Sequence, residues 1–368
     1  MNKNILVGGM GVLVGLLVSS TILMLAETSQ NSATENILPS RAWMEYAQNI
    51  VRTEIMTPPE SARLYSYVAT AYHEALVKTQ SEAEAGLVVR DVINKIVPTH
   101  TEATNNIFEE ISKADQVTAS AEAMEVQNKL FSRLETDGKN DVWAGERPSG
   151  DEYWTGENPF EPNAKNWEQW IVEGIDFEVS PPPVHGGPEH QTALRQVKEA
   201  AVNRTPEQGS AVNFWGGVPG TEAPAGIWQN VFYTEVKDLN LTDEEYAFAQ
   251  MILAQAIADS FIECWTVKYT YWTRRPTMDD SSITPYLEMN NPNFPSYVSG
   301  HSTVSRAAAG VLSVLFPDKS ALWLANASEA RDSRLWAGIH FPYDNEEGFL
   351  LGEAVAAAVI EKLSLQAL

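Results

Sequence analysis

The chain has a single cysteine, Cys264, among its 368 residues. It cannot form an internal disulfide, so its stability must come from packing. Basic residues are also scarce, since 25 lysines and arginines stand against 49 aspartates and glutamates, which gives a net charge of −24. A surface this acidic excludes the class of proteins that bind nucleic acid through a basic face.

Long hydrophobic runs are absent except for one, from Ile5 to Ala26. This run is long enough to cross a bilayer as a helix, and it is longer than the hydrophobic core of an ordinary signal peptide. We therefore expect residues 1–26 to be a signal anchor or a signal peptide, residues 27–40 a polar linker, and residues 41–368 one globular domain. The domain is expected to be exported to the periplasmic or extracellular side of the cell envelope, anchored by the N-terminal helix or secreted after its cleavage. Membrane contact is expected only through this segment.

Strand-like alternation of apolar and polar residues is also absent, whereas helical periodicity is strong. Helices are predicted from Arg41 after Ser40, from Pro58-Pro59 to Lys78, over Glu102 to Glu135, over Gln191 to Val202, from the capping pair Thr242 and Glu245 onward, and from Leu350 to Leu363. At the last of these helices, the small residues Gly348, Gly352 and Ala356 are four apart and would permit close packing. Residues 136 to 230 are rich in proline, glycine and tryptophan, and we expect them to wrap the helices and cover a site. The predicted fold class is all-α, a helical bundle with long irregular loops over the site.

Three short segments in the last third of the chain concentrate cationic side chains. They are KYTYWTRRP at residues 268–276, Ser299-Gly300-His301, and SRLWAGIHFPYD at residues 333–344. Arg275 and Arg334 offer planar forks for oxyanions and Lys268 adds a point charge, while Arg274 is expected to be a neighbour without direct contact.

Ser299 and Gly300 stand just before an apolar run, from Val304 to Phe316, that Pro317 terminates. This order predicts the N-terminus of a helix, where free backbone N–H groups and the helix dipole favour an anion. The glycine would permit close approach of that anion.

Two histidines, His301 and His340, lie in the same segments. One neutral imidazole can bind the central atom of an oxyanion, while a second can move protons. Asp344, four residues after His340, can orient that imidazole, and with Glu347 it also fits a helix-capping pair. The two roles of Asp344 are compatible.

The ordered pattern Lys268-x6-Arg275-Pro276, Ser299-Gly300-His301 and Ser333-Arg334-x3-Gly338-x-His340-x3-Asp344 resembles a known superfamily signature. That superfamily unites vanadium-dependent haloperoxidases, type 2 phosphatidate phosphatases and bacterial acid phosphatases. Every charged position is filled, and Val298 stands where the family usually has proline. Upstream, the segments Arg204 to Gln208, Phe214-Trp215 and Pro224 to Trp228 resemble the bacterial haloperoxidase-like branch, so the resemblance covers most of residues 41–368.

The resemblance implies a bundle of the haloperoxidase and acid phosphatase type, with residues 41–368 as the catalytic domain. His340 would be the axial vanadium ligand, or the phosphoryl-accepting nucleophile of a phosphatase, and His301 the acid/base. Vanadate is the implied cofactor, and phosphate can occupy the same site. The oxygens of either anion would be held by Lys268, Arg275, Ser299, Gly300 and Arg334. Trp265 and Phe294 match aromatic positions near a halide pocket, and they are equally consistent with ordinary core residues.

Three functions are compatible with such a site. A haloperoxidase would oxidise a halide with hydrogen peroxide, and a phosphatase would hydrolyse phosphate monoesters through a phosphohistidine. The tryptophan-rich upstream segments favour the haloperoxidase, and phosphatidate phosphatases place their site among several membrane spans. A protein that only sequesters phosphate or vanadate is least favoured, because capture does not need a second histidine for proton transfer. The motif does not specify the halide, the organic acceptor or the oligomeric state.

Overall fold

The computed structural model describes residues 37–113, 117–286 and 292–368. Within it, Pro39 to Leu368 form one compact unit. The predicted signal or anchor segment, residues 1–26, and most of the predicted linker lie outside the described residues. No helix in the described ranges is long and apolar enough to cross a membrane.

The prediction of an all-α fold is confirmed. The α-helices of the described ranges are α1 (Pro39–Glu54), α2 (Pro58–Thr79), α3 (Glu82–Ile96), α4 (Thr101–Ser112), α5 (Ala121–Thr136), α6 (Pro188–Val202), α7 (Pro206–Phe214), α8 (Ala223–Val236), α9 (Asp243–Tyr271), α10 (Pro276–Asp279), α11 (Gly300–Leu315), α12 (Ser320–Trp336) and α13 (Pro342–Leu363). These residues contain no β-strand, and their one isolated bridge pairs Tyr153 with Thr273.

The prediction of a single helix over Glu102 to Glu135 was wrong. Helix α4 ends at Ser112, where Lys113 adopts the left-handed conformation that commonly terminates a helix. A new helix, α5, begins after Ser120, whose Oγ accepts a hydrogen bond from Ala123 N at 3.2 Å. The hydrophobic periodicity hid this break because both helices bury an apolar face.

The segment from 136 to 230 is less irregular than predicted. Besides the expected α6 it contains α7 and α8, and residues 137–187 hold only one short 3₁₀ turn, Ala164–Asn166. Thr205 and Gln208 form a reciprocal capping pair at the start of α7, with N–H···O distances of 3.3 and 2.9 Å. This capping box was visible in the sequence, and it marks a helix that the proline and glycine content obscured.

Helix α9 is buried almost all round and begins, as predicted, at a capping box of Thr242 and Glu245. Helices α11 and α13 pack closely, and this prediction is confirmed too. A Cβ at Gly352 would lie 2.1 Å from Thr303 O, and a Cβ at Gly348 would lie 2.7 Å from Ser299 O. The close approach brings the start of α13 beside the start of α11.

Candidate active site

The three cation-bearing segments meet at one place in the fold. Lys268 is in the last turn of α9, Arg275 precedes α10, and Arg334 is near the end of α12. All three side chains are fully buried. Burial, and then the charges of these cations, lower the pKa values of His301 and His340.

Asp344 fixes the orientation of His340. Its Oδ2 accepts hydrogen bonds from His340 Nδ1 at 2.9 Å, from Phe341 N at 3.1 Å and from the Ser296 hydroxyl at 2.5 Å. The carboxylate therefore contacts the histidine and also caps α13. The predicted capping pair with Glu347 was wrong, because α13 begins at Pro342 and Asp344 reaches back to the N–H of Phe341.

The second nitrogen of His340 faces Arg275, with Nη1 to Nε2 at 2.9 Å. A guanidinium can only donate, so Nε2 carries the lone pair and Nδ1 carries the proton given to Asp344. Burial, then the charges of Arg275 and Lys268, lower the pKa of His340 well below its usual range. The ring is thus a neutral imidazole with its nucleophilic nitrogen turned toward the cations.

His301 lies in the first turn of α11 and is partly exposed. Its Nε2 is 2.8 Å from the carbonyl oxygen of Trp215, which can only accept, so Nε2 carries the proton and Nδ1 the lone pair. Burial and the charge of Arg334 lower the pKa of His301 well below its usual range. This second imidazole is therefore neutral and able to accept a proton at Nδ1.

Lys268 holds the loop that precedes α11. Its Nζ donates to the carbonyl oxygens of Pro295 at 3.0 Å, Ser296 at 2.7 Å and Val298. Burial lowers the pKa of Lys268 to about 7, and the charge of Arg275 acts in the same direction. Because all three ammonium hydrogens are engaged, Lys268 provides charge and loop position in this state.

The two arginines differ in their free donors. Arg275 donates to the carbonyl oxygens of Phe294, Pro295 and Ile339 at 3.0 to 3.3 Å in addition to His340. Arg334 has fewer contacts: its Nε donates to the Ser333 hydroxyl at 2.9 Å and its Nη2 to Val212 O at 3.4 Å, while the buried Nη1 has no partner. Burial lowers the pKa of Arg275 to about 10 and that of Arg334 to about 9, so both stay charged near neutral pH.

The cluster carries more positive than negative charge. Among the described residues, none of Lys268, Arg275 and Arg334 forms an ion pair with a carboxylate. The carboxylate of the cluster is that of Asp344, which pairs with His340 through Oδ2 and has no partner at Oδ1. Burial raises the pKa of Asp344 to about 6. Buried cations are costly unless compensated, so this donor set fits a polyanion with several acceptor oxygens.

The predicted helix start at Ser299 and Gly300 is present. Ser299 is the N-cap of α11, and its Oγ accepts from Ser302 N at 3.4 Å. A Cβ at Gly300 would lie 3.7 Å from the Trp265 ring and 3.9 Å from Cys264 Sγ, which is ordinary contact. Packing therefore does not require glycine at this position.

Trp265 and Phe294 lie beside the cations, with ring centroids 5.0 Å apart. Lys268 Nζ is 5.2 Å from the Phe294 centroid, and Trp265 Nε1 donates to Phe160 O at 3.1 Å. The two rings form one wall of the cluster, and their part in a halide pocket stays a prediction.

Sequence reasoning missed three participants. The Ser296 hydroxyl supports Asp344, and the carbonyl oxygens of Val212 and Trp215 contact Arg334 and His301. The resemblance had marked the Phe214-Trp215 segment without a role, because a backbone acceptor leaves no residue-type signal. Nothing in the sequence distinguished Ser296 from an ordinary loop serine.

Comparisons with known proteins agree with the superfamily resemblance seen in the sequence. Residues 246–365 match the PAP2 superfamily. No curated protein sequence matches the chain. The crystal structure of a bacterial vanadium-dependent iodoperoxidase superposes with a TM-score of 0.75 at 21% identity, covering 92% of this chain and 99% of that one. Apo and holo structures of a bacterial vanadium-dependent chloroperoxidase each give a TM-score of 0.67 at 12% identity, covering 84% of this chain and 94% and 92% of theirs. These likenesses show a shared fold.

Proposed function

We propose that this chain, whose residues 246–365 match the PAP2 superfamily, is a vanadium-dependent haloperoxidase that oxidises a halide with hydrogen peroxide. The observation that carries this proposal is the buried excess of positive charge beside a neutral His340. Its Nε2 lone pair is directed into the cluster by Asp344. A tetrahedral oxyanion would supply the missing negative charge and the missing acceptor for Arg334 Nη1.

Vanadate fits this donor set. His340 Nε2 would be its ligand, since the proton on Nδ1 leaves that nitrogen free for a metal. Arg275 Nη1, which now donates to Nε2, would exchange that bond for one to an anion oxygen. Arg334 would donate from Nη1, and Ser299 and Gly300 would line the helix start. Bound vanadate would supply a Lewis acid centre at which peroxide is activated toward the halide.

His301 would move the proton in this reaction. Its Nδ1 lone pair can accept a proton from an incoming peroxide, since the ring is neutral and Nε2–H is already held by Trp215 O. An anion beside the ring would raise its pKa and stabilise the imidazolium. The same nitrogen can then return the proton to a departing oxygen.

A phosphatase is the alternative, and the superfamily match supports it equally. There His340 Nε2 would attack phosphorus and His301 would protonate the leaving oxygen. We favour the haloperoxidase because the similarity to the iodoperoxidase structure extends over 92% of the chain.

The test is to add vanadate to the purified protein and to measure peroxide-dependent oxidation of iodide and bromide alongside hydrolysis of a phosphate ester. We expect vanadate to activate halide oxidation, phosphate to compete with it, and iodide to be the easiest substrate because it is the most readily oxidised of these halides. Oxidation unaffected by vanadate removal or by excess phosphate would contradict the proposal. Ester hydrolysis without halide oxidation would favour the phosphatase, and anion binding without either turnover would favour a sequestering protein.

A further inference from the structure

A second polar cluster lies outside the anion site, around Asp279 at the end of α10. His185 Nε2 is 3.2 Å from Asp279 Oδ1, and His190 Nε2 is 3.1 Å from Asp279 Oδ2. One ligand atom from each residue can be chosen so that all lie within 4.8 Å of one another. We propose that His185, His190 and Asp279 form a binding site for a divalent transition cation of the zinc class.

The spacing of these atoms suits such a cation. In a tetrahedral site with metal–ligand bonds of about 2.0–2.1 Å, neighbouring ligand atoms lie about 3.3 Å apart. The 3.1 Å from His190 Nε2 to Asp279 Oδ2 is close to that value, and the ligand atoms of all three residues lie within 4.8 Å of one another, so a small movement of His185 would place a cation among them. Two imidazoles and one carboxylate are a ligand set that zinc accepts, with the fourth position left for water.

The local backbone holds both histidines at this place. Gly186 adopts a φ of +72°, a conformation that favours glycine, and it lets the chain reverse between His185 and α6. His190 lies in the first turn of α6, and the two rings are 4.9 Å apart at 63°. The side chains of His190 and Asp279 are almost fully buried, while 35% of the His185 side chain is exposed, which gives a cation a route from solvent.

The protonation states are compatible with binding. Burial alone would raise the pKa of Asp279, but hydrogen bonds from His190, Arg274 and His185 lower it below its usual value, so the carboxylate is ionised at neutral pH. Arg274 Nε occupies Oδ1, which leaves Oδ2 to face the cation while the guanidinium orients the carboxylate.

Binding would require the proton on each histidine Nε2 to move, because both nitrogens face oxygens of Asp279. His190 Nδ1 accepts a long contact from Gly186 N at 3.3 Å, so in the metal-free state Nε2 carries the proton. A cation at Nε2 would place that proton on Nδ1, so metal–ligand bonds would replace the hydrogen bond to Asp279 Oδ2, and the long Gly186 contact would be lost.

The bound cation would act as a structural clamp. It would join the loop before α6 to α10, whose first residue directly follows Arg275. The His190 ring is also 5.1 Å from Phe341, the residue after His340. We therefore expect the cation to raise the thermal stability of the whole unit.

The experiment uses the chelator-treated full chain. Titration with Zn²⁺ should give one tightly bound ion per chain and a higher Tm, and Co²⁺ should give the intense visible absorption of a tetrahedral site. His185→Ala should weaken binding at least tenfold and abolish the Tm rise, and His185→Gln repeats the test if the alanine variant misfolds. Saturable binding should survive in His340→Ala, which separates this site from the anion site.

His100→Ala is the matched control, because His100 Nε2 pairs with Glu54 Oε1 at 2.8 Å and belongs to no group of three possible metal ligands in the part of the chain that the structure describes. That variant should bind like the parent protein. No saturable binding, equal affinity in His185→Ala and the parent, or a weak six-coordinate Co²⁺ spectrum would overturn the proposal.

Discussion

Arg274 and Arg275 are adjacent in sequence and belong to opposite electrostatic environments. Arg275 is fully buried and donates to backbone carbonyls and to His340. Arg274 pairs with the carboxylate of Asp279. One cluster thus has surplus positive charge and no carboxylate paired with its lysine or arginines, while the other is built around a carboxylate that already has its donors.

The difference shows which cluster needs a negatively charged ligand. Around His340, burial lowers the pKa of Lys268 to about 7 and that of Arg334 to about 9, which reflects the cost of keeping these cations without a counter-charge. Around Asp279 the carboxyl pKa is lowered instead, because donors surround it despite its burial. The first cluster favours an anion, and the second can accept a cation.

The largest effects should come from the two histidines of the anion cluster. His340→Ala should abolish tight vanadate binding, because it removes the only proposed covalent contact, although the cations would retain loose phosphate binding. His301→Ala should still bind vanadate, while turnover falls by about 10²–10⁴-fold, as for a lost general acid/base. Vanadate titration paired with peroxide-dependent iodide oxidation measures both. Equal loss of binding in two folded variants would refute the separate roles.

A smaller effect is expected from Arg334→Lys. The charge is kept, but an ammonium lacks the planar fork that reaches Ser333, Val212 O and the anion together. Losing one charge-assisted hydrogen bond should cost about 1.5–3 kcal/mol, roughly ten- to a hundredfold in vanadate affinity. Arg274→Lys is the matched control in the other cluster, and it should leave vanadate affinity unchanged. If both variants bind vanadate as the parent protein does, Arg334 does not contact the anion.

The contrast between these arginines could be predicted from the sequence, since motif spacing selected Arg275 and left Arg274 outside. The all-α class and the start of α11 at Ser299 were predicted as well, because periodicity and capping residues are local signals. The break between α4 and α5 and the Trp215 carbonyl beside His301 were not. The Asp279 cluster was missed for a related reason: His185 and Asp279 are far apart in sequence and come together only through the packing of α6 near α10.

The pH dependence of anion binding should sharpen the comparison further. Lys268 with a pKa of about 7 is charged below that pH and loses its proton above it, so sulfate, whose own charge is constant, should bind more weakly as pH rises from 7 to 9. The slope should approach tenfold per pH unit. Lys268→Met should remove this pH dependence. If the sulfate affinity of the parent protein does not change with pH, the charged form of Lys268 does not contribute to anion binding.

The lowered pKa of Lys268 also affects the free energy of unfolding. The pKa of Lys268 in the folded protein lies below the usual lysine value of 10.5, so the unfolded chain binds more protons between about pH 7 and 10.5. The free energy of unfolding of the anion-free protein should therefore gain a contribution that rises with pH across this window. Denaturant titrations at several pH values would measure it, and saturating sulfate should reduce the slope by keeping Lys268 protonated.

The smallest effect is expected from Gly300→Ala. Gly300 lies beside the anion cluster, and it is compared with Gly352, which lies at the close contact between α11 and α13. A Cβ at Gly300 meets only ordinary contacts of 3.7 to 3.9 Å, so Gly300→Ala should leave the free energy of unfolding unchanged or raise it by up to about 1 kcal/mol. Gly352→Ala is the contrast, since its Cβ would lie 2.1 Å from Thr303 O and should destabilise by about 1–3 kcal/mol or more. If Gly300→Ala keeps its stability and still loses vanadate affinity, the glycine is there for the close approach of the anion. Unchanged affinity would show that the helix start tolerates a methyl group and that the cations alone hold the ligand.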